Sequence, residues 1–165
     1  GDVIVEAGAT VQDSVHIEGP AVILSGAEVG PNAYIRGATT VGADVHVGHS
    51  VEVKNSILMR DTAVPHLSYV GDSVLGRNVN LGAGTNVANL RHDDASVRMT
   101  VKGQRVDTGR RKLGVVLGDD VKTGINVSLN AGVTVGCGVG IAPGDVVLQD
   151  IEGNSRREPN GSLSE

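Results

Sequence analysis

Arg36, Lys54 and His66 are the residues whose types could do chemistry, and His66 lies inside the stretch "PHLSYVGD" at 65–72. If the chain repeats with the spacing that separates Arg36 from Lys54, the two cations stack roughly 5 Å apart and repel by about 1 kcal/mol in water, so an anion between them is favoured. The competing arrangement has Glu18, set before Arg36 by that same spacing, neutralise Arg36 instead. His66 reads either as a polar surface residue or as part of a site. Its company with Pro65 and Tyr69 in a stretch where the local pattern breaks favours a site, because broken rules cluster there. Cys137, in "VGCGVG", has no histidine within several residues and reads as structural rather than nucleophilic.

The elements that must position these residues follow from a period of six. Steps of six from Val5 give Val11, Ile17, Ile23, Val29, Ile35, Val41, Val47, Val53, Met59 and then Pro65. Four residues after each lies a second column of small or β-branched residues from Ala9 to Ala63, which reaches Tyr69 at the break. The expected cause is a pair of five-residue steps, Pro65–Tyr69 and Val70–Val74. The first column resumes as Leu75, Leu81 and Val87, then Leu117, Thr123, Leu129, Val135, Ile141 and Val147. Neither a helix nor a two-faced strand has this period. A turn every six residues does, with Gly, Asn and Asp at the corners. Three hexads close one triangular coil, and coils stack by parallel strand pairing about 4.8 Å apart. An ordinary β-sandwich is the disfavoured alternative.

Composition agrees with a narrow core. The 165 residues hold 24 Gly, no Phe or Trp, and only Tyr34 and Tyr69 as aromatics, with 39% hydrophobic content. The net charge of −5 and the lack of stacking aromatics argue against nucleic-acid binding. One cysteine allows no internal disulfide, and no long apolar run or signal peptide is present, so the expectation is a soluble cytoplasmic protein. The chain begins with Gly rather than Met, which suggests a fragment of something longer.

Between 88 and 116 the repeat vanishes, and "SVRMTVKGQRVDTG" reads as a β-hairpin turning at Lys102-Gly103. Seven basic residues (Arg91, Arg98, Lys102, Arg105, Arg110, Arg111, Lys112) against three Asp give this segment +4, which leaves −9 for the remainder of a chain at −5. It reads equally as an arm that meets phosphates or as a solvated hairpin. The expected organisation is a domain over 1–152, carrying this insertion at 88–116, and a polar tail over 153–165.

The stretches "VGPNAYIRGATTVG", "VGHSVEVKNS", "PHLSYVGDSVLGRNVNLGAGT", "AN" at 88–89 and "KLGVVLGDDV" resemble the acetyltransferase domain of bifunctional N-acetylglucosamine-1-phosphate uridylyltransferase / glucosamine-1-phosphate N-acetyltransferase. The basic insertion resembles that of the archaeal-type sugar-1-phosphate nucleotidyltransferases. The resemblance runs from about Val29 to Asn89 and again from about Lys112 to Asp150. It implies an all-β, left-handed parallel β-helix of hexapeptide repeats with the inserted β-hairpin, assembled as a homotrimer with sites between subunits. It further implies transfer of acetyl from acetyl-CoA to the amine of glucosamine 1-phosphate or galactosamine 1-phosphate, in UDP-N-acetylhexosamine biosynthesis. His66 is then the general base that takes the amine proton, a task for which an imidazole is the commonest side chain. Arg36 and Lys54 hold the sugar phosphate, Tyr69, Asn80 and Lys112 contact the sugar substrate, and Asn89 and the Ala83 backbone contact acetyl-CoA. Leu90 stands where that family has an aromatic, and Arg156 or Arg157 stands in for a family arginine near the cofactor.

Two rivals stay in view. One is a non-catalytic trimerising scaffold for an N-terminal nucleotidyltransferase domain absent from this chain. The other is a zinc carbonic anhydrase of the same fold, which needs three histidines meeting at a subunit boundary. His16, His46, His49, His66 and His92 lack the long gap followed by a near pair that it uses, so no metal site is expected.

Overall fold

The computed structural model describes residues 1–157 and 162–164. It is a parallel β-solenoid of triangular section without helices among the described residues. The first face stacks Val3–Val5, Ala21–Ile23, Thr39–Val41, Ile57–Leu58, Val74–Leu75, Val116–Leu117 and Thr134–Val135. The second stacks Thr10–Val11, Glu28–Val29, His46–His49 and Ala63–His66. It continues through Asn80, bridged to both Ala63 and Lys122, into Lys122–Thr123, Gly140–Ile141 and Arg156–Arg157. The third stacks His16–Ile17, Tyr34–Ile35, Glu52–Lys54, Tyr69–Gly71, Asn86–Val87, Ser128–Leu129 and Val146–Val147.

Parallel pairing requires that each coil return to the same register, and the period of six supplies it. Ile23, Val29, Ile35, Val41, Val47, Val53, Leu58, Val64, Val70, Leu75 and Leu81 point inward and are fully buried. The corners need a left-handed backbone, which Gly, Asn and Asp adopt at least cost. Non-glycine corners include Asn32, Asp44, Asn55, Asp61, Asp72 and Asn78, all with φ between 46° and 61°.

The inward column departs from the sequence expectation in one stretch. Leu58 and Val64 are buried where the period of six predicts Met59 and Pro65, and Met59 is 40% exposed. The small inward column likewise runs through Ser56, Thr62 and Ser68, which are buried, rather than Ile57, Ala63 and Tyr69. The five-residue steps are therefore Val53 to Leu58 and Val70 to Leu75, and coils across them are shorter than three full hexads, as in Val41↔Leu58↔Leu75. The expected step Val70–Val74 is the one observed between Val70 and Leu75, whereas the step expected at Pro65–Tyr69 lies instead at Val53–Ile57.

Serine makes the short corners possible. Ser56 Oγ donates to Lys54 O at 2.7 Å and accepts Ser73 N at 3.0 Å. Ser73 Oγ in turn donates to Gly71 O at 2.7 Å and accepts Val115 N at 3.0 Å. Each hydroxyl pairs main-chain groups that a tightened turn cannot bring together, and such groups are costly when buried alone.

The segment between Val87 and Val115 leaves the coil at the edge between the third and first faces. It forms the antiparallel hairpin Arg98–Val101 with Gln104–Asp107, turning at Lys102 and Gly103, both at positive φ. Val97 at its base is 1% exposed, and Thr100 donates to Asp150 near the end of the prism. Within the insertion, Arg91 is ion-paired with Asp93, Arg111 with Asp94, and Arg105 with Asp150 at 3.8 Å. The Arg156–Arg157 strand lies in the segment expected to be a polar tail, and Leu163–Ser164 pairs with it antiparallel.

Candidate functional site

Arg36 and Lys54 each follow an inward aliphatic of the third face, Ile35 and Val53, which are paired neighbours. The expected stacking therefore holds, but each cation already has a carboxylate. Arg36 Nη1 donates to Glu52 at 2.8 Å, and the guanidinium carbon Cζ lies 5.8 Å from the Tyr34 ring centroid. Glu18, the partner considered from spacing, instead accepts the Tyr34 hydroxyl. Lys54 Nζ contacts both Asp72 oxygens, at 2.9 and 3.0 Å.

Asp72 ends the "PHLSYVGD" stretch, and spacing assigns it no role. It occupies the corner of the second short step at φ 53°, with its side chain 4% exposed. Burial pushes its carboxyl pKa up, and hydrogen bonds from Asn55, Lys54 and Asn89 outweigh that and hold it below the ordinary value. Asn55 Nδ2 donates at 2.7 Å, and Asn89 Nδ2 donates both to Asp72 and, at 3.0 Å, to the Tyr69 hydroxyl. Tyr69 is raised above the usual phenol range by burial and by the Asp72 and Glu52 charges. Lys112 is exposed and is bridged in antiparallel register to Leu90, beside Asn89. The side chains of Lys54 and Asn89 and the Tyr69 hydroxyl thus meet at the edge between the third and first faces, where the Lys112 main chain is bridged to Leu90.

His66 closes the strand Ala63–His66 on the second face, paired in register with His49. It lies two residues past inward Val64, whereas Arg36 and Lys54 lie one past theirs, so the three do not share a hexad position as the period of six predicts. His66 is exposed, and Leu67 after it takes φ 49° while 61% exposed, an uncommon backbone for a bulky residue. Ser68 Oγ returns to His66 O at 2.8 Å and fixes this turn. Gly84 N donates to His66 O at 3.2 Å, which places Ala83 one coil beyond the histidine. Asn80 is on the same face, between Ala63 and Lys122. His66 and the main chain of Tyr69 flank the corner between the second and third faces, whereas the two cations line the opposite edge of the third face, which the Tyr69 hydroxyl reaches through Asn89.

The second face also carries an open cleft of about 580 Å³, lined by Lys122, Thr123, Gly124, Gly140, Ile141, Pro143 and Arg156 among others. Its two cations come from segments well separated in sequence, and spacing does not single out Lys122. Arg157 contributes main chain to the same sheet. Cys137 is exposed at a corner. Among the described residues, no group of three or more His, Cys, Asp or Glu is placed to hold a metal ion.

The family model described as the GMPPB C-terminal domain matches residues 17–135. A bifunctional sugar-1-phosphate nucleotidylyltransferase/acetyltransferase from Sulfurisphaera tokodaii is 49% identical over 92% of this chain and 38% of its own length. A bifunctional protein GlmU from Methanocaldococcus jannaschii is 52% identical over 94% of this chain and 38% of its own. The bacterial GlmU of Polaromonas naphthalenivorans is 36% identical over 97% of this chain and 29% of its own. The chain therefore spans about two fifths or less of the curated relatives it matches. The resemblance read from the motifs is borne out by these relatives.

Proposed function

This chain belongs to the GMPPB C-terminal domain family, and on that footing we propose that it is an acetyl-CoA-dependent N-acetyltransferase acting on the amine of a hexosamine 1-phosphate. Glucosamine 1-phosphate is the leading substrate, with galactosamine 1-phosphate the second. The name of the Sulfurisphaera tokodaii relative, a sugar-1-phosphate nucleotidylyltransferase/acetyltransferase, supports the acetyl transfer and the sugar 1-phosphate. The observation that carries the reading is the cluster in which Lys54, Tyr69 and Asn89 meet around one buried carboxylate.

Arg36 and Lys54 bind the sugar phosphate, with Tyr69, Asn80 and Lys112 on the sugar. His66 takes a proton from the amine as its nitrogen attacks the thioester carbonyl, and the coenzyme A thiolate leaves. The exposed imidazole at a fixed turn suits this work, since proton transfer needs reach as well as basicity. Asn89 and the Ala83 backbone contact acetyl-CoA, and Lys122 and Arg156 beside the second-face cleft supply positive charge for its phosphates. Residues 1–152 form the acyltransferase domain with the insertion at 88–116, and a nucleotidyltransferase domain precedes it in the whole protein. The working assembly is a homotrimer in the cytoplasm.

The test is release of free coenzyme A with glucosamine 1-phosphate, galactosamine 1-phosphate and the unphosphorylated amines. His66→Ala should keep the fold and lose about 10²–10⁴-fold in turnover, the usual worth of a general base. Near-normal turnover of a folded His66→Ala protein removes the base assignment. A wild type that is silent with every sugar moves the trimerising scaffold ahead, and light scattering then decides whether it assembles at all.

A further inference from the structure

We propose that Asp72 is the positioning residue that ties the lysine of the sugar-phosphate site to the asparagine of the acetyl-CoA site, so that both substrates meet one pre-set unit. The inference rests on the acetyltransferase reading above, and it starts from three side chains of two distant segments that converge on one carboxylate. Lys54 arrives from the end of a third-face strand, Asn55 from the corner beneath, and Asn89 from the start of the insertion. The Asp72 main chain makes the same junction. Its N–H donates to Lys54 O at 2.8 Å, and its carbonyl accepts Gly114 N at 2.8 Å, where the insertion returns to the coil. Both ends of the insertion are therefore fastened to residue 72.

The donor count explains why a carboxylate stands here. An ammonium has three N–H groups, and Asp72 engages Lys54 through two short contacts, so a donor remains for a phosphate oxygen. The Asn89 amide has two hydrogens, one for Asp72 and one for the Tyr69 hydroxyl. Its carbonyl oxygen is thereby aimed by Asp72 and Tyr69 together. A carboxylate offers about four acceptor positions, and no neutral side chain of this size could hold a lysine and two amides at once. A plain corner needs much less: Asn78 and Asp120 close theirs with a single amide-to-carboxylate bond. The short steps that displace the repeat set Asn55 and Asp72 one above the other and so build this junction.

Asp72→Asn keeps the shape and tolerates φ 53°. It should raise the KM of the sugar phosphate and the KM of acetyl-CoA together, each by roughly 10-fold or more, the low end for lost hydrogen bonds to a charged group. Turnover with both substrates saturating should fall by less than about 3-fold. On a Lys54→Met background, Asp72→Asn should add nothing to the sugar-phosphate KM and still raise that of acetyl-CoA, a split that a merely structural role would not produce. If Asp72→Asn does not fold, Lys54→Met combined with Asp72→Leu removes the pair without leaving a buried charge, and the acetyl-CoA KM should still rise. An active, folded variant with both KM values at the wild-type level, or with additive losses in the Lys54→Met background, overturns the proposal alone. A wild type that transfers no acetyl group to any of the sugars overturns the acetyltransferase reading and this inference with it.

Discussion

Ser73→Ala tests the account of the shortened repeat. Ser73 is 4% exposed, and its hydroxyl donates to Gly71 O and accepts Val115 N, which belongs to a residue 1% exposed. Alanine removes both bonds, and Gly114 leaves no room for water, since even a Cβ there would sit 2.1 Å from both Ser73 Oγ and Gly71 O. One buried N–H is then unpaired and one carbonyl loses a donor, a cost of about 3 kcal/mol. For a chain of this size about 3 °C is lost per kcal/mol, so the melting midpoint should fall by roughly 9 °C. Calorimetry gives the midpoint, and amide hydrogen exchange localises the damage to the Val115 N–H, which should lose protection before its neighbours. Ser128→Ala, an exposed residue of the third face, should shift stability by no more than about 0.5 kcal/mol. A Ser73→Ala protein that melts within about 2 °C of wild type, by an assay able to resolve about 1 °C, with Val115 still protected, would refute the idea that the serine hydroxyl closes the five-residue step.

Two further outcomes follow from charge. Asp72 is held below the ordinary carboxylate value, so its stabilisation is present above the unfolded pKa of about 3.9 and is lost as pH falls through the folded value. Urea midpoints of the wild type should therefore drop below about pH 4, with the drop reduced in Asp72→Asn; equal acid slopes would show that other carboxylates govern it. In the hairpin, Arg98 and Asp107 are paired across the strands, so Met99–Val106 can be replaced by Asn-Gly while buried Val97 is spared. That excision should raise the KM of one anionic substrate, more so at low salt where screening is weak, and unchanged kinetics would make the hairpin a docking or solvated arm.

The solenoid is legible in the residues alone. A period of six recurs too often for helix or sandwich, and inward aliphatics with Gly, Asn and Asp corners force parallel coils because neither of those elements buries residues at a period of six. The hairpin is legible too, because Lys102-Gly103 separates two short runs suited to strands. Spacing also places Arg36 above Lys54. What spacing cannot decide is the register inside the break. Leu58 and Met59 are adjacent and both apolar, so periodicity does not choose between them, and the choice falls to Ser56 and Ser73, whose hydroxyls complete short corners only once neighbouring coils are stacked. The partners of the cations are hidden for the same reason. Glu18, Glu52 and Asp72 are all within reach of a coil-to-coil contact, and corner geometry and burial assign Glu52 to Arg36 and Asp72 to Lys54. The bond from Asn89 to Asp72 depends on how an insertion leaves and rejoins the prism, which is decided by packing between coils and has no period to read.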